Sequence, residues 1–263
     1  MWLATNAGPF LLREQSVTGT GLSLRVLHIS DIHFAPSHRN KVQFLKQLAE
    51  LKPDLVVNTG DNLGHAQALN PLLRALDPLM EFPGVFVNGS NDYSSPKLTN
   101  PLRYLAGPSK VESRERDLDT PRLIREFENA GWLNLNNQTG KLEIKNQTIN
   151  FVGVDDPHLG LDAPPKTNAS NLIAVAHAPY LRVLDTFADQ SAKLIFAGHT
   201  HGGQICLPGS RALITNCDLP GKQAQGLSKH KNSWLHVSGG MGANIYTPLR
   251  VFCPPSATLL TIS

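Results

Sequence analysis

The sequence predicts a layered α/β domain with mixed sheets, and three features of the chain lead to this expectation. Short apolar runs rich in Val, Ile and Leu alternate with helix-like stretches as far as residue 203. Beyond that point the pattern changes to strands and turns. Five of the apolar runs end in polar residues that can bind metal. This order is typical of layered folds, in which ligands bind beyond the carboxyl ends of the strands.

The predicted strands of the first part lack polar alternation, which is typical of strands buried on both faces. They span 22–30, 54–59, 84–88, 171–176 and 193–197, and later strands are expected within 203–208, 212–216, 233–239 and 257–263. Four helices are predicted from caps and apolar spacing, at 37–52 with Ser37 as the N-cap, 66–79, 121–131 and 179–188. The polar segment 94–120 is expected to form a loop over one face.

Length, composition and charge exclude several classes of protein. The 263 residues are 41% hydrophobic, enough for one large domain at 24–263 preceded by a lead-in segment at 1–23. The net charge is only +3 and no long Lys/Arg run occurs, so the footprint of a dedicated nucleic-acid-binding protein is missing. No apolar stretch approaches the roughly 20 residues that span a bilayer. The start of the chain also lacks the pattern of a signal peptide.

The three cysteines are Cys206, Cys217 and Cys253, an odd number without CxxC spacing. This pattern predicts buried reduced thiols rather than a disulfide framework or a zinc ribbon, with a Cys206–Cys217 bridge as the alternative. Reduced thiols in turn predict a reducing compartment, and therefore a cytoplasmic location. Peripheral association with the membrane and the oligomeric state are left open.

The polar residues at the ends of the predicted strands are mainly carboxylates and imidazoles. In extended chain, residues i and i+2 point to the same side, so Asp31 with His33 and His199 with His201 can each face one site. The strong donors number six: Asp31, His33, Asp61, His177, His199 and His201. This mixture of oxygen and nitrogen suits Mn²⁺, Fe²⁺ or Zn²⁺, and six donors fit two ions bridged by Asp61 better than one.

Each histidine has a simpler interpretation, because a lone His at a strand end is usually hydrogen-bonded for structural reasons. His28, His38, His230 and His236 belong to that ordinary class. The ordered series of five strand-end clusters, however, is difficult to produce by chance. The clusters together therefore predict a metal centre.

The same residues resemble the calcineurin-like metallophosphoesterases. The resemblance is carried by SD-x-H at 30–33, GD-N at 60–62, G-x-N-D-Y at 89–93, the lone His177 and GHTHGGQ at 198–204. The string at 198–208 looks like the YkuE/YaeI-type branch, in particular its actinobacterial members. The resemblance runs from about residue 24 to 260, and the GHTHGGQ string is its most specific part.

The resemblance implies a four-layer α-β-β-α sandwich with two mixed sheets and a dimetal centre. Carried over by position, Asp31, His33 and His201 would hold one ion, His177 and His199 the other, and Asp61 would bridge them. The family uses a bridging hydroxide that attacks phosphorus, with the ions stabilising the developing charge. On this basis Asp61, Asn91 and His199 are expected to act directly in catalysis.

One loop departs from the family pattern. The usual G-N-H-D or G-N-H-E reads Gly89-Ser90-Asn91-Asp92 here, with Ser at the position of the ligand Asn and Asn at that of the catalytic His. We favour Asn91 as the ligand of the second ion, with Ser90 as the alternative. Without a general acid, worth about 10²–10⁴ in rate, substrates with a stable leaving group are expected, such as diesters or pyrophosphates.

Three further residues are candidates for contact with substrate. His65 and His158 lie in loops that can reach the site, where either is a candidate replacement for the missing acid. Arg250 in the PLR string suits contact with a phosphate oxyanion. Asp155 and Asp156 are expected either to orient a ligand histidine or to hold a turn before Pro157.

The sequence thus predicts a metal-dependent phosphoesterase acting on a phosphate ester, with a lipid-linked or nucleotide-linked substrate as the possibility that the branch suggests. The alternative is a catalytically weak or inactive metal-binding or scaffold protein of the same fold, which the altered loop at 89–92 favours. Retention of all six strong donors argues against that alternative. A metallo-β-lactamase-type site is excluded because Gly202 and Gly203 follow His201 where Asp and His would be needed.

Overall fold

The computed structural model describes residues 3–97, 115–207, 211–213 and 215–263. Its α-helices are Arg39–Ala49 (α1), Leu69–Met80 (α2), Ser90–Tyr93 (α3), Thr120–Asn129 (α4) and Leu181–Asp189 (α5). The four predicted helices correspond to α1, α2, α4 and α5 with shifted ends. The N-cap of α1 is His38, without a side-chain cap, so the prediction of Ser37 was wrong. Most of the predicted loop at 94–120 lies outside the described residues.

The β-strands are, in chain order, Leu3–Ala4 (β1), Leu11–Val17 (β2), Leu24–Ile29 (β3), Leu55–Asn58 (β4), Gly84–Phe86 (β5), Leu133–Asn134 (β6), Thr139–Ile144 (β7), Gln147–Gly153 (β8), Leu172–Val175 (β9), Leu194–Ala197 (β10), Cys206–Leu207 (β11), Arg211–Ala212 (β12), Gly226–His230 (β13), Ser233–Val237 (β14), Arg250–Val251 (β15) and Ser256–Ile262 (β16). Most of them form two six-stranded sheets, in the orders β2-β16-β3-β4-β5-β6 and β13-β14-β10-β9-β8-β7. Both sheets are mixed. In the first, β3 to β6 run parallel while β16 is antiparallel to β3; in the second, β8, β9, β10 and β14 run parallel between antiparallel edge strands.

Three apolar clusters separate four layers, so the predicted α-β-β-α sandwich is confirmed. On β3, Leu27 and Ile29 pack with the residues of α1, α2 and α4. Leu24 and Val26, on the opposite face of the same strand, pack against residues of the second sheet. The third cluster lies between the second sheet and α5. This alternation follows from the two-residue period of a strand.

The parallel strands explain why the predicted donors meet. β3, β4 and β5 end at the same edge of the first sheet, and β9 and β10 end at one edge of the second. The polar residues that follow these five strands therefore gather where the carboxyl ends of the two sheets come together.

Residues 1–23 were expected to be a lead-in outside the domain, and the structure differs from that expectation. β2 pairs with β16 in parallel along seven residues and forms an edge of the first sheet. β1 pairs with β15 near the other end of the chain. The described part of this segment is therefore built into the fold. Its partners lie more than 200 residues away, which no local pattern could indicate.

The cysteine prediction was wrong, because Cys206 and Cys253 form a disulfide and Cys217 is the buried free thiol. The two bonded residues are 47 positions apart, and the pairing of Ile205 with Val251 brings their segments together. Since disulfides persist mainly in oxidising compartments, the prediction of a reducing compartment loses the observation on which it rested. Among the described residues, no helix is long and apolar enough to cross a membrane.

Candidate metal centre

The predicted donors form one buried cluster at the meeting of the two sheets. Ligand atoms of Asp31, His33 and His201 lie within 4.8 Å of one another, and so do those of Asp31, Asp61 and His177. His199 joins the second group, since its Nδ1 lies 3.3 Å from Nε2 of His177. All six side chains are buried.

Asp61 lies between the two groups. Its Oδ2 is 3.5 Å from Nε2 of His33, and its Oδ1 is 3.6 Å from Nε2 of His177. On the His33 side, Nε2 of His201 lies 3.3 Å from His33 Nε2 and 3.7 Å from Asp31 Oδ1. Donors that share an ion at about 2.0–2.1 Å in tetrahedral geometry lie roughly 3.4 Å apart. The spacings therefore fit two metal positions on either side of Asp61.

Backbone carbonyls fix the tautomers of two histidines. Nδ1 of His177 donates to the carbonyl of Thr59 at 2.7 Å. Nε2 of His199 faces the carbonyl of Asn216 at 3.4 Å. With a proton on that side of each ring, the other nitrogen directs its lone pair into the cluster, as metal ligands require.

The backbone at this site is strained in a way that the sequence does not reveal. Five of the six donors have a left-handed φ: Asp31, His33, Asp61, His199 and His201, at 49°, 42°, 55°, 68° and 51°. Such conformations cost on the order of 1–3 kcal/mol each in non-glycine residues and persist only where the surroundings enforce them. They turn each side chain sharply from the end of its strand into the cluster.

Two glycines allow the close approach of the ligand-bearing loops. A Cβ atom on Gly89 would overlap Oδ1 of Asp61 and lie 2.7 Å from the ring of His177. A Cβ on Gly198 would overlap Ser30 and lie 2.7 Å from Oδ2 of Asp31. The glycines of the sequence motifs are therefore required by space at the site.

The altered loop at 89–92 places Asn91 against Asp61, the residue that is predicted to bridge the two ions. Its backbone N–H donates to Asp61 Oδ1 and its side-chain amide to Oδ2, both at 2.7 Å. The same amide group carries an oxygen, which a rotation of the side chain would present to an ion held by Asp61. Ser90, at the start of α3, makes no such contact with the cluster among the hydrogen bonds of the described residues. Asn91 rather than Ser90 thus contacts Asp61, and its role as a metal ligand stays a prediction.

Asp92 is a site residue that the sequence reasoning missed. Its buried carboxylate accepts the backbone N–H groups of Asp61, Asn62 and Gly89 at 2.9, 2.8 and 3.0 Å. It therefore ties the loop after β4 to the loop after β5. The only sequence signal was its place at the end of the motif at 89–92, where the resemblance assigned it no role.

The charges of the cluster are strongly coupled. Burial raises the pKa of Asp31 to about 6. For His177, burial acts to lower the pKa, but Asp61, Asp156 and Asp31 outweigh it and raise the value to about 9. In the same way His177 and His33 lower the pKa of Asp61 against the effect of burial. Protons and metal ions thus compete for the same atoms, so acid is expected to displace bound ions.

The three candidate substrate contacts occupy different positions. Arg250 is only 1% exposed and lies behind His201: its Nη2 donates to the carbonyl of Gly242 at 2.6 Å and is 2.8 Å from His201 Nδ1. It supports the metal ligand from behind instead of facing open space. His158 lies beside His199, with ring centroids 4.7 Å apart. His65 lines a cavity beyond the loop of Asp61.

The two adjacent carboxylates at 155 and 156 hold a turn. Oδ1 of Asp156 accepts the N–H of His158 at 2.9 Å, which caps a short 3₁₀ turn at Pro157–Leu159. Asp155 accepts the hydroxyl of Tyr93 at 2.7 Å. Among the hydrogen bonds of the described residues, neither carboxylate bonds to a ligand histidine, so the turn interpretation applies.

Comparison with known proteins agrees with this geometry. Residues 24–203 match the model of the calcineurin-like phosphoesterase family. The chain belongs to this family, whose members are hydrolases that act on phosphoester bonds with divalent metals.

This chain aligns with several curated relatives over most of the length of each protein. They include the uncharacterized metallophosphoesterase YkoQ of Bacillus subtilis, 25% identical over 83% of this chain and 76% of that protein. The UDP-2,3-diacylglucosamine pyrophosphatase LpxG of Chlamydia trachomatis is 28% identical over 90% of this chain and 83% of its own. The phosphodiesterase YaeI of Escherichia coli is 25% identical over 90% of this chain and 82% of its own.

Proposed function

We propose that this chain hydrolyses phosphodiesters or pyrophosphates at a centre of two divalent cations. The observation that carries the proposal is the position of Asp61, whose two oxygens face His33 and His177 at 3.5 and 3.6 Å. Asp31, His33 and His201 would hold the first ion. His177, His199 and Asn91 would hold the second. The mixed oxygen and imidazole donors suit Mn²⁺, Fe²⁺ or Zn²⁺.

The protein's own residues prepare the site for this chemistry. Bound divalent cations would acidify water and stabilise the charge that develops at phosphorus. The carbonyls of Thr59 and Asn216 keep the lone pairs of His177 and His199 directed at the cluster. The backbone N–H of Asn91 holds Oδ1 of Asp61 in place. These contacts exist before substrate binds, so little reorganisation is needed during the reaction.

The replacement of the family's histidine supports a preference for substrates with a stable leaving group. Asn91 stands at that position, and an amide cannot deliver a proton as an acid does. The names of two relatives are in line with this preference, since YaeI is a phosphodiesterase and LpxG a pyrophosphatase.

A lipid-linked or nucleotide-linked substrate and peripheral contact with a membrane are the finer parts of the proposal. LpxG acts on a diacylated nucleotide sugar by its name. On this chain Leu207, Tyr246 and Leu249 are 49%, 47% and 48% exposed, in segments that adjoin the one carrying His201.

The test is Mn²⁺-dependent hydrolysis of bis-p-nitrophenyl phosphate, with p-nitrophenyl phosphate in parallel and His199→Ala as the control variant. We expect the diester to be the better substrate and its cleavage to vanish in the variant. Faster cleavage of p-nitrophenyl phosphate than of the diester, or of a simple alkyl monophosphate added to the comparison, would contradict the preference. An absence of turnover with two ions bound per chain would support the alternative, a metal-binding scaffold protein of this fold.

A further inference from the structure

An open cavity of about 610 Å³ adjoins the loops that carry His33 and Asp61. The two loops run side by side from the cluster, since the N–H of Phe34 donates to the carbonyl of Asn62 at 2.8 Å. They then form two walls of the cavity, through residues 35–38 and through His65 and Gln67. The cavity is thus next to the first metal position.

The start of the chain forms a third wall. Asn6 holds it in place, because its side chain donates to the carbonyl of Ala243 at 2.9 Å and accepts the N–H of the same residue at 2.7 Å. Ala243 follows Gly242, whose carbonyl faces His201. Ile245 and Pro248 complete the lining. Every wall is therefore anchored to a segment that touches the metal cluster.

The lining mixes six polar and five apolar residues, and none of the eleven carries a carboxylate, ammonium or guanidinium. Nδ1 of His38 accepts the N–H of Ala35 at 3.1 Å, and Nδ1 of His65 accepts that of Gln67 at 3.0 Å. In each neutral ring the proton must then lie on Nε2, which makes that nitrogen a donor. Ser37 adds a hydroxyl and Gln67 an amide to the same lining.

The side chains of this lining indicate which group of a substrate the cavity can bind. A second phosphate would favour arginine or lysine in the lining, and a nucleobase would favour an aromatic side chain for stacking. An acyl chain would need a continuous apolar wall, whereas hydroxyls match neutral donors and acceptors.

We propose that this cavity binds an uncharged sugar or polyol attached to the scissile phosphate of the substrate. This inference rests on the proposed function, because it names the group that the substrate carries beside the metal centre. Hydroxyls would pair with His38, His65, Ser37 and Gln67, while the CH face of the sugar or polyol would pack on Ile245 and Pro248.

The experiment compares two esters that differ only in hydroxyl groups, glyceryl p-nitrophenyl phosphate and propyl p-nitrophenyl phosphate, at pH 8 with Mn²⁺. We expect kcat/KM to favour the glyceryl ester by about tenfold, since two or three hydrogen bonds of modest strength would be gained. Ser37→Trp, which fills the cavity, should abolish the preference. Asn70→Trp, which fills a separate small cavity beside α2, is the control and should keep it.

Equal kcat/KM for the two esters would overturn the inference and leave the proposed function intact. If neither ester is cleaved, the proposed function fails, and binding then decides the inference. Calorimetry with glyceryl and propyl methylphosphonate gives the ratio of dissociation constants without turnover. We expect tighter binding of the glyceryl compound to the Mn²⁺-loaded protein and a ratio near one in Ser37→Trp. A ratio near one in the unmodified protein would contradict the inference.

Discussion

Asn91 donates hydrogen bonds to both carboxylate oxygens of Asp61, from its backbone N–H and from its side-chain amide, each at 2.7 Å. Asp61 is the residue that lies between the two proposed metal positions, so this pair couples the altered loop to the centre of the cluster. The loop at 89–92 has therefore kept its connection to the cluster although it departs from the family pattern.

Asn91→Ala should lower metal affinity or the rate of diester hydrolysis by about 10–100-fold, as loss of a partner of a metal ligand typically does. Ser90→Ala, one residue away, should change either quantity by less than about twofold, as removal of a group without a key contact usually does. Metal content by mass spectrometry and initial rates measure both effects. A larger loss in Ser90→Ala than in Asn91→Ala would show that Ser90 is the ligand instead.

Asp92→Ala should destabilise the protein by at least about 3 kcal/mol, since each buried donor left unsatisfied costs roughly 1–3 kcal/mol. The affected N–H groups belong to Asp61, Asn62 and Gly89. Urea denaturation of the metal-free protein measures the change. Asp119→Ala, which removes the N-cap of α4, is the matched control and should cost only about 1 kcal/mol. Equal losses in the two variants would contradict the role of Asp92.

Two buried histidines between the sheets should make stability depend on pH. His28 and His236 meet through their Nδ1 atoms at 2.7 Å, and Nε2 of His28 reaches the hydroxyl of Thr59 at 3.0 Å. Burial lowers the pKa of His236 to about 3, and burial and His236 lower that of His28. The unfolded chain therefore binds protons at pH values where the folded chain does not, so stability is lost as the pH falls below about 6.5.

The variant His236→Gln tests this dependence by difference. Both proteins should lose free energy of unfolding between pH 7 and pH 5. The loss in the variant should be smaller by about 2 kcal/mol, because one group with a lowered pKa no longer contributes. Urea titrations at the two pH values measure the slopes. Parallel slopes would mean that the pKa of His236 is the same in the folded and the unfolded chain.

Reduction of the Cys206–Cys253 disulfide should destabilise the protein by about 3–4 kcal/mol, the usual scale for a bond that closes a loop of some 47 residues. The denaturation midpoint with and without reductant measures the effect. Cys253→Ala should show the lower midpoint without reductant and no further change with it. Cys217→Ala is the control, since that thiol is free, and it should still respond to reductant. A response to reductant in Cys253→Ala would contradict the pairing.

The sequence determined the order of strands and donors, because apolar runs of four or five residues ending in Asp or His are local patterns. Asp31, His33, Asp61, His177, His199 and His201 could all be named from it, and so could the fold class. The tertiary structure alone decided which segments lie beside them. The pairing of β2 with β16, the disulfide and the contact of Arg250 with His201 join residues far apart in the chain, and no local period records such pairs. The left-handed turns at the donors arise for the same reason, since the packing of two sheets, and not the intrinsic preference of Asp or His, holds them.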